Sequence, residues 1–317
     1  MDTIAVLLRA PEELGLERLS LTPPGEEDVV VDVEWSGIST GTERLLWSGR
    51  MPSFPGMGYP LVPGYESVGR VTRAGATTGR RVGERVFVPG ARCFGTLKGE
   101  PVRGLFGGAA SRLVVPGAKV VPIWEDLGEQ GVLLALAATA YHAFPRGVPQ
   151  PDLIVGHGVL GRLLARLALA AGAPAPMVWE TNAGRHAGAE GYPVLDPAAD
   201  DRRDYRCIAD VSGDPTLLDA LIARLAPRGE VVLAGFYAEP LSFSFPPAFM
   251  REARIRIAAE WKTQDLDAVL ALLADGRLSL DGLITHTRHV AHAPDAYRTA
   301  FTDSACLKMV LDWRESA

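Results

Sequence analysis

The stretch Val155-Gly156-His157-Gly158-Val159-Leu160-Gly161 joins the end of a predicted strand to the start of a predicted helix. The strand predicted over Asp152–Val155 is apolar up to the turn, and apolar residues then recur at helical spacing from Leu160 to Ala171. In a dinucleotide site with this spacing, the first glycine makes the tight turn, the second admits a pyrophosphate, and the third lets the helix pack on its strand. The free N–H groups at the helix start favour the phosphates. The stretch therefore predicts a dinucleotide-binding unit.

An acidic residue follows at the distance that such a site requires. Met177-Val-Trp-Glu180 predicts a second strand, and Glu180 lies 19 residues beyond Gly161 (180 − 161). A carboxylate there accepts hydrogen bonds from the adenosine ribose hydroxyls and repels a 2′-phosphate, which favours NAD as the cofactor, although Arg185 nearby leaves some room for NADP. The predicted cofactor-binding residues are Gly156, His157, Gly158, Val159, Leu160, Gly161, Glu180, Arg185, Ser212 and Gly235.

Length and composition narrow the class of protein. A chain of 317 residues exceeds the usual size of one domain, so two domains are expected. The net charge of −6 without a basic run argues against a nucleic-acid partner. Three scattered cysteines support neither a disulfide framework nor a cysteine-rich zinc lobe and fit a reducing, cytoplasmic setting. No stretch approaches the ~20 apolar residues of a membrane span.

Two different patterns divide the chain. Asp28–Trp35 and Arg81–Val88 alternate with a period of two between glycines and prolines, which predicts strands of a barrel-like β domain. From about Leu133 onward, predicted strands alternate with predicted helices, as a parallel doubly wound sheet requires. The fold class expected is therefore α/β, with a second domain built from β-strands.

This order of parts resembles the medium-chain dehydrogenase/reductase superfamily, and so do several motifs. They are Gly37-Ile-Ser-Thr-Gly-Thr-Glu43, Val62-Pro-Gly-Tyr-Glu-Ser-Val-Gly69, and Leu283-Ile-Thr-His286 with Ala296-Tyr297 further on. The resemblance implies a GroES-like β-barrel domain over residues 1–135 and 260–317, which carries catalysis and substrate binding. It implies a Rossmann dinucleotide-binding domain over residues 136–259.

The chain departs from that superfamily at the catalytic metal. Where its zinc enzymes have a cysteine, a histidine and a second cysteine, this sequence has Ser39, Tyr65 and Ala135. A hydroxyl, a phenol and a methyl group do not replace thiolate and imidazole as zinc ligands. A trio of histidines spaced by threes falls on predicted strand and turn rather than on a helix, which argues against a metal site there; these are His286, His289 and His292. No bound metal is expected.

Longer strings resemble one zinc-free family of bacteriochlorophyll biosynthesis within the superfamily. They span Ser36–Glu43, Leu45–Pro52, Phe54–Gly69, Leu134–His142 and Phe245–Arg254. The resemblance implies NAD-dependent oxidation of the ring-A 1-hydroxyethyl group of a bacteriochlorophyllide to an acetyl group. The sequence leaves the oligomeric state open, with a homodimer as one candidate.

Without zinc, a base or a relay must take the hydroxyl proton while the nicotinamide takes the hydride. Tyr65 is a candidate proton acceptor or relay, and Ser39 and Thr42 are candidates for a hydroxyl chain. Glu66 is a candidate for orienting them, and His142 for passing protons to solvent. The alternative is structural for each, with Tyr65 filling the space that zinc would take.

A flat, porphyrin-sized substrate needs a wide apolar surface. Aromatic and methionine side chains crowd in and beside a Gly/Pro-rich loop, and such side chains suit a large ring face. The substrate-binding candidates are Trp35, Arg44, Trp47, Met51, Phe54, Met57 and Tyr59, with Arg44 or Arg50 pairing with a propionate. The alternative is that this loop covers the core of its own domain.

Two rival functions stay open at this point. A zinc-free quinone or enoyl reductase of the same superfamily would prefer NADPH, which Glu180 disfavours. A protein that senses NAD without turnover would also lack the zinc ligands. Binding of NAD without oxidation of any chlorin alcohol would favour this last reading.

Overall fold

The computed structural model of the protein describes residues 1–104 and 106–315, which divide into two compact units. Unit 1 comprises Met1–Leu134 and Leu283–Ala317, and unit 2 comprises Ala135–Gly282. Residues 260–282, which the sequence analysis assigned to the β domain, thus lie in unit 2. They are held there in part by Arg166, whose guanidinium donates to the carbonyl oxygens of Ser279 and Asp281 at 2.9 Å each.

Strands and helices are numbered along the chain. The strands are β1 (Asp2–Ala10), β2 (Glu13–Ser20), β3 (Asp28–Ile38), β4 (Ser67–Ala74), β5 (Arg85–Val88), β6 (Thr96–Leu97), β7 (Glu100–Pro101), β8 (Arg112–Pro116), β9 (Val121–Pro122), β10 (Leu153–Val155), β11 (Met177–Trp179), β12 (Val194–Leu195), β13 (Tyr205–Asp210), β14 (Leu225–Leu233), β15 (Arg254–Ile257), β16 (His286–His289) and β17 (Met309–Asp312). The helices are α1 (Thr42–Trp47), α2 (Leu134–Ala143), α3 (Val159–Ala170), α4 (Leu218–Arg224), α5 (Phe245–Met250), α6 (Thr263–Ala274) and α7 (Ala293–Thr302).

Unit 1 is built on a mixed sheet in the order β16-β17-β3-β4-β5-β9, with β8 also pairing with β3. The predicted strand over Asp28–Trp35 is confirmed within β3, whose valines are buried. The strand predicted over Arg81–Val88 begins only at Arg85, because Gly83 adopts a φ of +89° and the chain turns there. The tail returns as β17, which pairs antiparallel with β3 and places Met309 opposite Ile38.

Unit 2 is a six-stranded parallel sheet in the order β12-β11-β10-β13-β14-β15. From β10 the chain runs outward through β11 and β12, then returns to the other side of β10 for β13, β14 and β15. The order therefore reverses beside β10, and in such sheets ligands bind at the carboxyl ends of the strands next to the reversal. The doubly wound sheet predicted from the sequence is confirmed.

The glycine turn after β10 has the geometry that its sequence predicts. Gly156 adopts a φ of +106°, which a residue with a side chain rarely accepts. A Cβ on Gly161 would overlap the carbonyl oxygen of Gly156, so only glycine lets α3 approach the strand this closely. Within the residues described, no helix combines the length and the apolar character needed to cross a membrane.

Candidate active site

The start of α3 in unit 2 is open toward the carboxyl end of the sheet. Gly158 is the N-cap of this twelve-residue helix, and a Cβ placed on it would meet no atom of the described residues within 4 Å. The helix start thus offers unhindered backbone N–H groups and the positive end of its dipole. Val159, Leu160 and Gly161 form the first turn. This geometry suits the close approach of a pyrophosphate.

Glu180 lies directly after β11 and faces the glycine turn. One carboxylate oxygen accepts the backbone N–H of His157 at 3.1 Å, and the other accepts the N–H of Asn182 at 2.8 Å. Each oxygen retains a further lone pair, so the carboxylate can still accept hydrogen bonds from a sugar diol. The structure therefore brings Glu180 and the glycine turn together, as the sequence predicts.

The His157 side chain is buried and serves the protein itself. Nδ1 lies 2.6 Å from the carbonyl oxygen of Arg185, and Nε2 lies 2.9 Å from the hydroxyl of Tyr192. Burial lowers the pKa of His157, which keeps the imidazole neutral. Arg162 donates to the carbonyl oxygens of Arg185 and Ala187, at 3.1 and 2.8 Å. The segment after Glu180 is thus fixed to α3, and the backbone of His157 is itself held by Glu180 and Arg162, so His157 shapes the glycine turn.

Ser212 and Gly235 complete the same edge of the sheet. The Ser212 hydroxyl donates to Asp210 at 2.7 Å, and the Gly235 N–H donates to the Asp210 carbonyl oxygen at 3.0 Å. A Cβ on Gly156 would lie 3.5 Å from the Cα of Ser212, so the loops after β10 and β13 are neighbours. The predicted cofactor residues therefore gather at one edge of unit 2.

In unit 1, three predicted catalytic side chains meet where β3 ends and β4 begins. The Tyr65 hydroxyl donates to Ser39 Oγ at 2.6 Å and lies 3.5 Å from Thr42 Oγ1. Ser39 directly follows β3, Thr42 begins α1, and Tyr65 lies two residues before β4. This hydroxyl cluster consists of Ser39, Thr42 and Tyr65, the three hydroxyl side chains that the sequence suggests for a proton relay.

Burial and the nearby charge of Glu66 raise the pKa of the Tyr65 phenol well above its usual range. The Tyr65 side chain is therefore a neutral phenol at physiological pH. A neutral phenol donates its proton to Ser39 Oγ but does not act as a base. The structure thus favours Tyr65 as a hydrogen-bond donor within the cluster.

Glu66 is fully buried and pairs with a residue that the sequence analysis did not select. The Lys308 ammonium contacts one carboxylate oxygen of Glu66, while the other oxygen has no hydrogen-bond partner among residues 1–104 and 106–315. Burial raises the pKa of Glu66, and the charge of Lys308 opposes that change. A Cβ on Gly37 would overlap the paired oxygen, so the motif needs glycine there. One sequence feature could have pointed to Lys308 as a site residue. Its charge lies alone within the apolar run Cys306–Leu311.

Glu43 is a second buried carboxylate that sequence reasoning missed as a site residue. Its side chain accepts the N–H of Ser39 at 3.1 Å and the hydroxyl of Tyr297 at 2.7 Å. Burial raises the pKa of Glu43 to about 7. Glu43 and Tyr297 both belong to motifs that carry the superfamily resemblance, but 254 positions separate them along the chain.

His142 lies in unit 2, near the end of α2. Its Nδ1 is 2.8 Å from the Asp265 carboxylate, and Asp265 also accepts the backbone N–H of Lys262 at the start of α6. Because an ionised carboxylate only accepts, Nδ1 carries the proton and Nε2 is left as an acceptor. Asp265 thus fixes the tautomer of His142. The sequence had not pointed to Asp265 as a site residue.

The Gly/Pro-rich loop forms an apolar cluster in unit 1. Its core is Leu8, Leu46, Met51 and Leu61, with Trp47, Phe54, Met57, Tyr59 and Phe106 partly buried against it. The Tyr59 hydroxyl donates to the Leu46 carbonyl oxygen. The ring of Phe106 meets Tyr65 edge-on at 5.1 Å, which joins the apolar cluster to the hydroxyl cluster.

The other candidate substrate-binding residues differ from these in burial and in the groups that they contact. Trp35 is a buried residue of β3, and its ring packs against the guanidinium groups of Arg85 and Arg314, at 5.3 and 4.8 Å. It does not belong to the apolar cluster. Arg44 and Arg50 are exposed on and after α1. Met51 is nearly buried, at 8% exposure, so part of the loop does cover its own domain's core.

No group of three or more histidine, cysteine, aspartate or glutamate side chains that could hold a metal ion occurs in the described part of the chain. The histidine trio falls on β16 and the short 3-10 turn after it. These two findings concern only the arrangement of side chains that could bind a metal ion.

Comparison with solved structures supports the fold. A short chain alcohol dehydrogenase of Escherichia coli CFT073, solved with NADH, aligns with a TM-score of 0.82 at 23% identity, covering 98% of this chain and 99% of the other. The L-idonate 5-dehydrogenase of Escherichia coli aligns with a TM-score of 0.85 at 16% identity, covering 98% of each chain. At these identities the likeness shows the fold alone.

Sequence comparison identifies the family. Residues 25–125 match the alcohol dehydrogenase GroES-like domain. The 2-desacetyl-2-hydroxyethyl bacteriochlorophyllide A dehydrogenases of Cereibacter sphaeroides and Rhodobacter capsulatus are 59% and 58% identical, each over the full length of both chains. The chain therefore belongs to the medium-chain dehydrogenase/reductase superfamily and, within it, to the family of these bacteriochlorophyllide dehydrogenases.

Proposed function

We propose that the protein oxidises the ring-A 1-hydroxyethyl group of a bacteriochlorophyllide to an acetyl group, with NAD⁺ as hydride acceptor. The full-length identity of 59% and 58% to two dehydrogenases named for that substrate carries the proposal. The carbinol carbon loses a hydride to the nicotinamide, the hydroxyl loses a proton, and the products are the ketone, NADH and H⁺. Those relatives are named for a bacteriochlorophyllide, so we place the reaction in bacteriochlorophyll biosynthesis.

The cofactor would bind at the carboxyl edge of unit 2. The open start of α3 and the unobstructed Gly158 fit a pyrophosphate, and Glu180 fits a ribose diol. When bound, the nicotinamide supplies the hydride acceptor. The residues of this chain would hold the dinucleotide, and the fixed negative charge of Glu180 would repel a 2′-phosphate.

The hydroxyl cluster would hold the substrate oxygen. Tyr65 donates to Ser39 Oγ, which leaves the Ser39 hydroxyl its own proton to donate and one lone pair to accept. Through the Ser39 hydroxyl, the two residues can thus accept a hydrogen bond from the substrate alcohol. The same hydroxyl can then donate a hydrogen bond to the carbonyl oxygen that forms. We propose His142, with its tautomer fixed by Asp265, as the group that passes the proton to solvent.

The apolar cluster would contact the macrocycle. Phe106 links it to Tyr65, so a flat ring lying on the partly buried Phe54, Met57 and Tyr59 would present its side chain to the hydroxyl cluster. Exposed Arg44 or Arg50 would pair with the propionate.

The odd number and scattered positions of three buried cysteines are the basis for proposing a cytoplasmic location.

A direct assay tests the function. The purified protein is incubated with NAD⁺ and 3-hydroxyethyl bacteriochlorophyllide a, and the absorption band is followed as the new carbonyl joins the conjugated ring. We expect one NADH for each acetyl product. Binding of NAD⁺ without turnover would favour the sensing alternative, and NADPH-dependent reduction of a quinone or an enoyl compound would favour the reductase alternative.

We predict that NAD⁺ is preferred over NADP⁺ and that Glu180→Gln narrows this preference. Hydrogen bonds to a charged acceptor are worth ~1.5–3 kcal/mol, so NAD⁺ binding should weaken roughly tenfold or more. Titration with both cofactors measures it. Glu190→Gln removes an exposed charge from the same segment and serves as the matched control. Equal kcat/KM for both cofactors in the wild type would contradict the assignment.

We predict that the reaction needs no zinc. Ser39 and Tyr65 are neutral hydroxyls bonded to each other, and Glu66 already faces the Lys308 ammonium, so this donor set does not fit zinc. Elemental analysis should find no stoichiometric zinc, and chelator treatment should leave kcat unchanged. The magnesium of the substrate is excluded from the count. About one zinc per chain, with activity lost on its removal, would overturn the prediction.

We predict that Tyr65→Phe lowers kcat while leaving the pH profile in place. The change keeps the ring packed on Phe106 and removes only the hydroxyl, so the loss should fall at or below the lower end of the ~10²–10⁴-fold range for acid–base groups. Because Tyr65 acts through Ser39, Tyr65→Phe combined with Ser39→Ala should cost little more than Ser39→Ala alone. A pH dependence that disappears in Tyr65→Phe would instead make Tyr65 the base.

We further propose a homodimer formed through β15. This strand is the edge of the parallel sheet, pairs only with β14 among the described residues, and exposes 76% of Ile257. Open apolar edges are normally covered. In an antiparallel pairing centred on Ile257, Arg254 would lie opposite the partner's Glu260, which matches opposite charges. Further exposed apolar side chains nearby are Phe245, Phe249 and Met250.

We predict that Ile257→Lys gives a monomer, because two lysines would face each other across the two-fold axis. Sedimentation velocity measures the mass of the species. Val82→Lys is the matched control, since Val82 is 68% exposed in unit 1 and should leave the dimer intact. A monomeric wild type, or a dimer that survives Ile257→Lys, would contradict the proposed interface.

A further inference from the structure

Among the residues that the structure describes, Glu43 is the one carboxylate that accepts a hydrogen bond from the backbone of the hydroxyl cluster. It is fully buried, and its Oε1 accepts the Ser39 N–H at 3.1 Å. Its Oε2 lies 2.7 Å from the Tyr297 hydroxyl, on α7. Ser39 is thereby fixed from the backbone by Glu43 and from the side chain by Tyr65.

The charges around Glu43 do not balance a carboxylate. The groups that face it are Tyr297 from α7, Glu66 before β4, and Lys308 before β17. Lys308 is already paired with Glu66, so these two together are neutral. An ionised Glu43 would therefore leave one net negative charge buried beside the hydroxyl cluster, and a protonated Glu43 would leave none. The neutral Tyr65 phenol adds no charge.

We propose that Glu43 is a positioning residue for the proposed oxidation, which holds Ser39 in place while remaining protonated, so that no second negative charge opposes the electron density developing on the substrate oxygen. A protonated carboxyl still accepts the Ser39 N–H through its carbonyl oxygen. It then donates its proton to the Tyr297 oxygen. The inference rests on the proposed function, because the substrate oxygen enters only there.

The electrostatics agree with this geometry. Burial raises the pKa of Glu43 to about 7, with the charge of Glu66 acting in the same direction and Tyr297 and Lys308 acting against it. The charge of Glu43 also raises the pKa of Tyr65, so the hydroxyl cluster senses whether Glu43 is ionised. Ionisation above about pH 7 should therefore slow oxidation.

The test compares kcat of the wild type with that of Glu43→Gln from about pH 5.5 to 8.5. Glutamine keeps an acceptor for the Ser39 N–H and cannot ionise. We expect the ratio of the Glu43→Gln rate to the wild-type rate to rise with pH across neutrality. Taking a ratio removes ionisations that both proteins share. A constant ratio would overturn the proposal, and a falling ratio would make Glu43 a proton acceptor instead.

Two tyrosine variants sharpen the assignment. Tyr297→Phe removes a donor that favours the carboxylate, so the inflection in the wild-type profile should move to higher pH. Tyr205→Phe is the matched control, since Tyr205 also donates to a buried carboxylate, at 2.5 Å from Asp200 in unit 2. Its profile should keep the wild-type inflection. An unmoved inflection in Tyr297→Phe would count against Glu43 as its source.

A measurement without substrate separates this inference from the proposed function. Because burial raises the pKa of Glu43 above its ordinary 4.5, the stability contributed by its protonated form is present below pH 4.5 and is lost as pH rises toward about 7. Glu43→Gln should therefore become progressively more stable relative to wild type over that interval and level off above it. If this holds while no bacteriochlorophyllide is oxidised, the function is wrong and the ionisation of Glu43 is right. A flat difference would overturn the inference itself.

Discussion

The buried ion pair between Lys308 and Glu66 is the constraint on which the reactive part of unit 1 depends. Burying either charge alone would cost several kcal/mol, so each residue requires the other. The pair ties the tail, just before β17, to the segment that carries Tyr65, and Gly37 leaves it the space it needs. The position of Tyr65 is therefore set by residues at both ends of the chain.

Charge is distributed around the hydroxyl cluster so that little of it is left uncompensated. Glu66 is paired, Tyr65 is neutral, and Glu43 lies between the Ser39 N–H and the Tyr297 hydroxyl. In the proposed reaction the carbonyl that forms is conjugated with the macrocycle, which makes this alcohol easier to oxidise than most. In this proposal the Ser39 hydroxyl, oriented by Tyr65, holds the oxygen without a cation directly on it.

The sequence predicted the parts of the structure that depend on neighbouring residues. The glycine turn, α3 and the position of Glu180 follow from spacing within about 30 residues, and each was found as predicted. The Glu66–Lys308 pair joins positions 242 residues apart, and no local pattern reveals such a contact. Residues 260–282 show the same limit, because an amphipathic helix does not indicate which unit it packs on.

The apolar loop shows why the candidate substrate residues could be selected but not assigned from sequence. An aromatic side chain in a loop fits a core and a ligand surface equally well, and the structure divides the set between the two. Met51 is nearly buried and Tyr59 bonds to the Leu46 carbonyl oxygen, so both stabilise the loop. Phe54 and Met57 are only partly buried, and Phe106, which the sequence did not indicate, is the residue that connects the loop to Tyr65. A loop anchored at one face and partly exposed at the other is suited to present a rigid apolar surface to a large, flat ring.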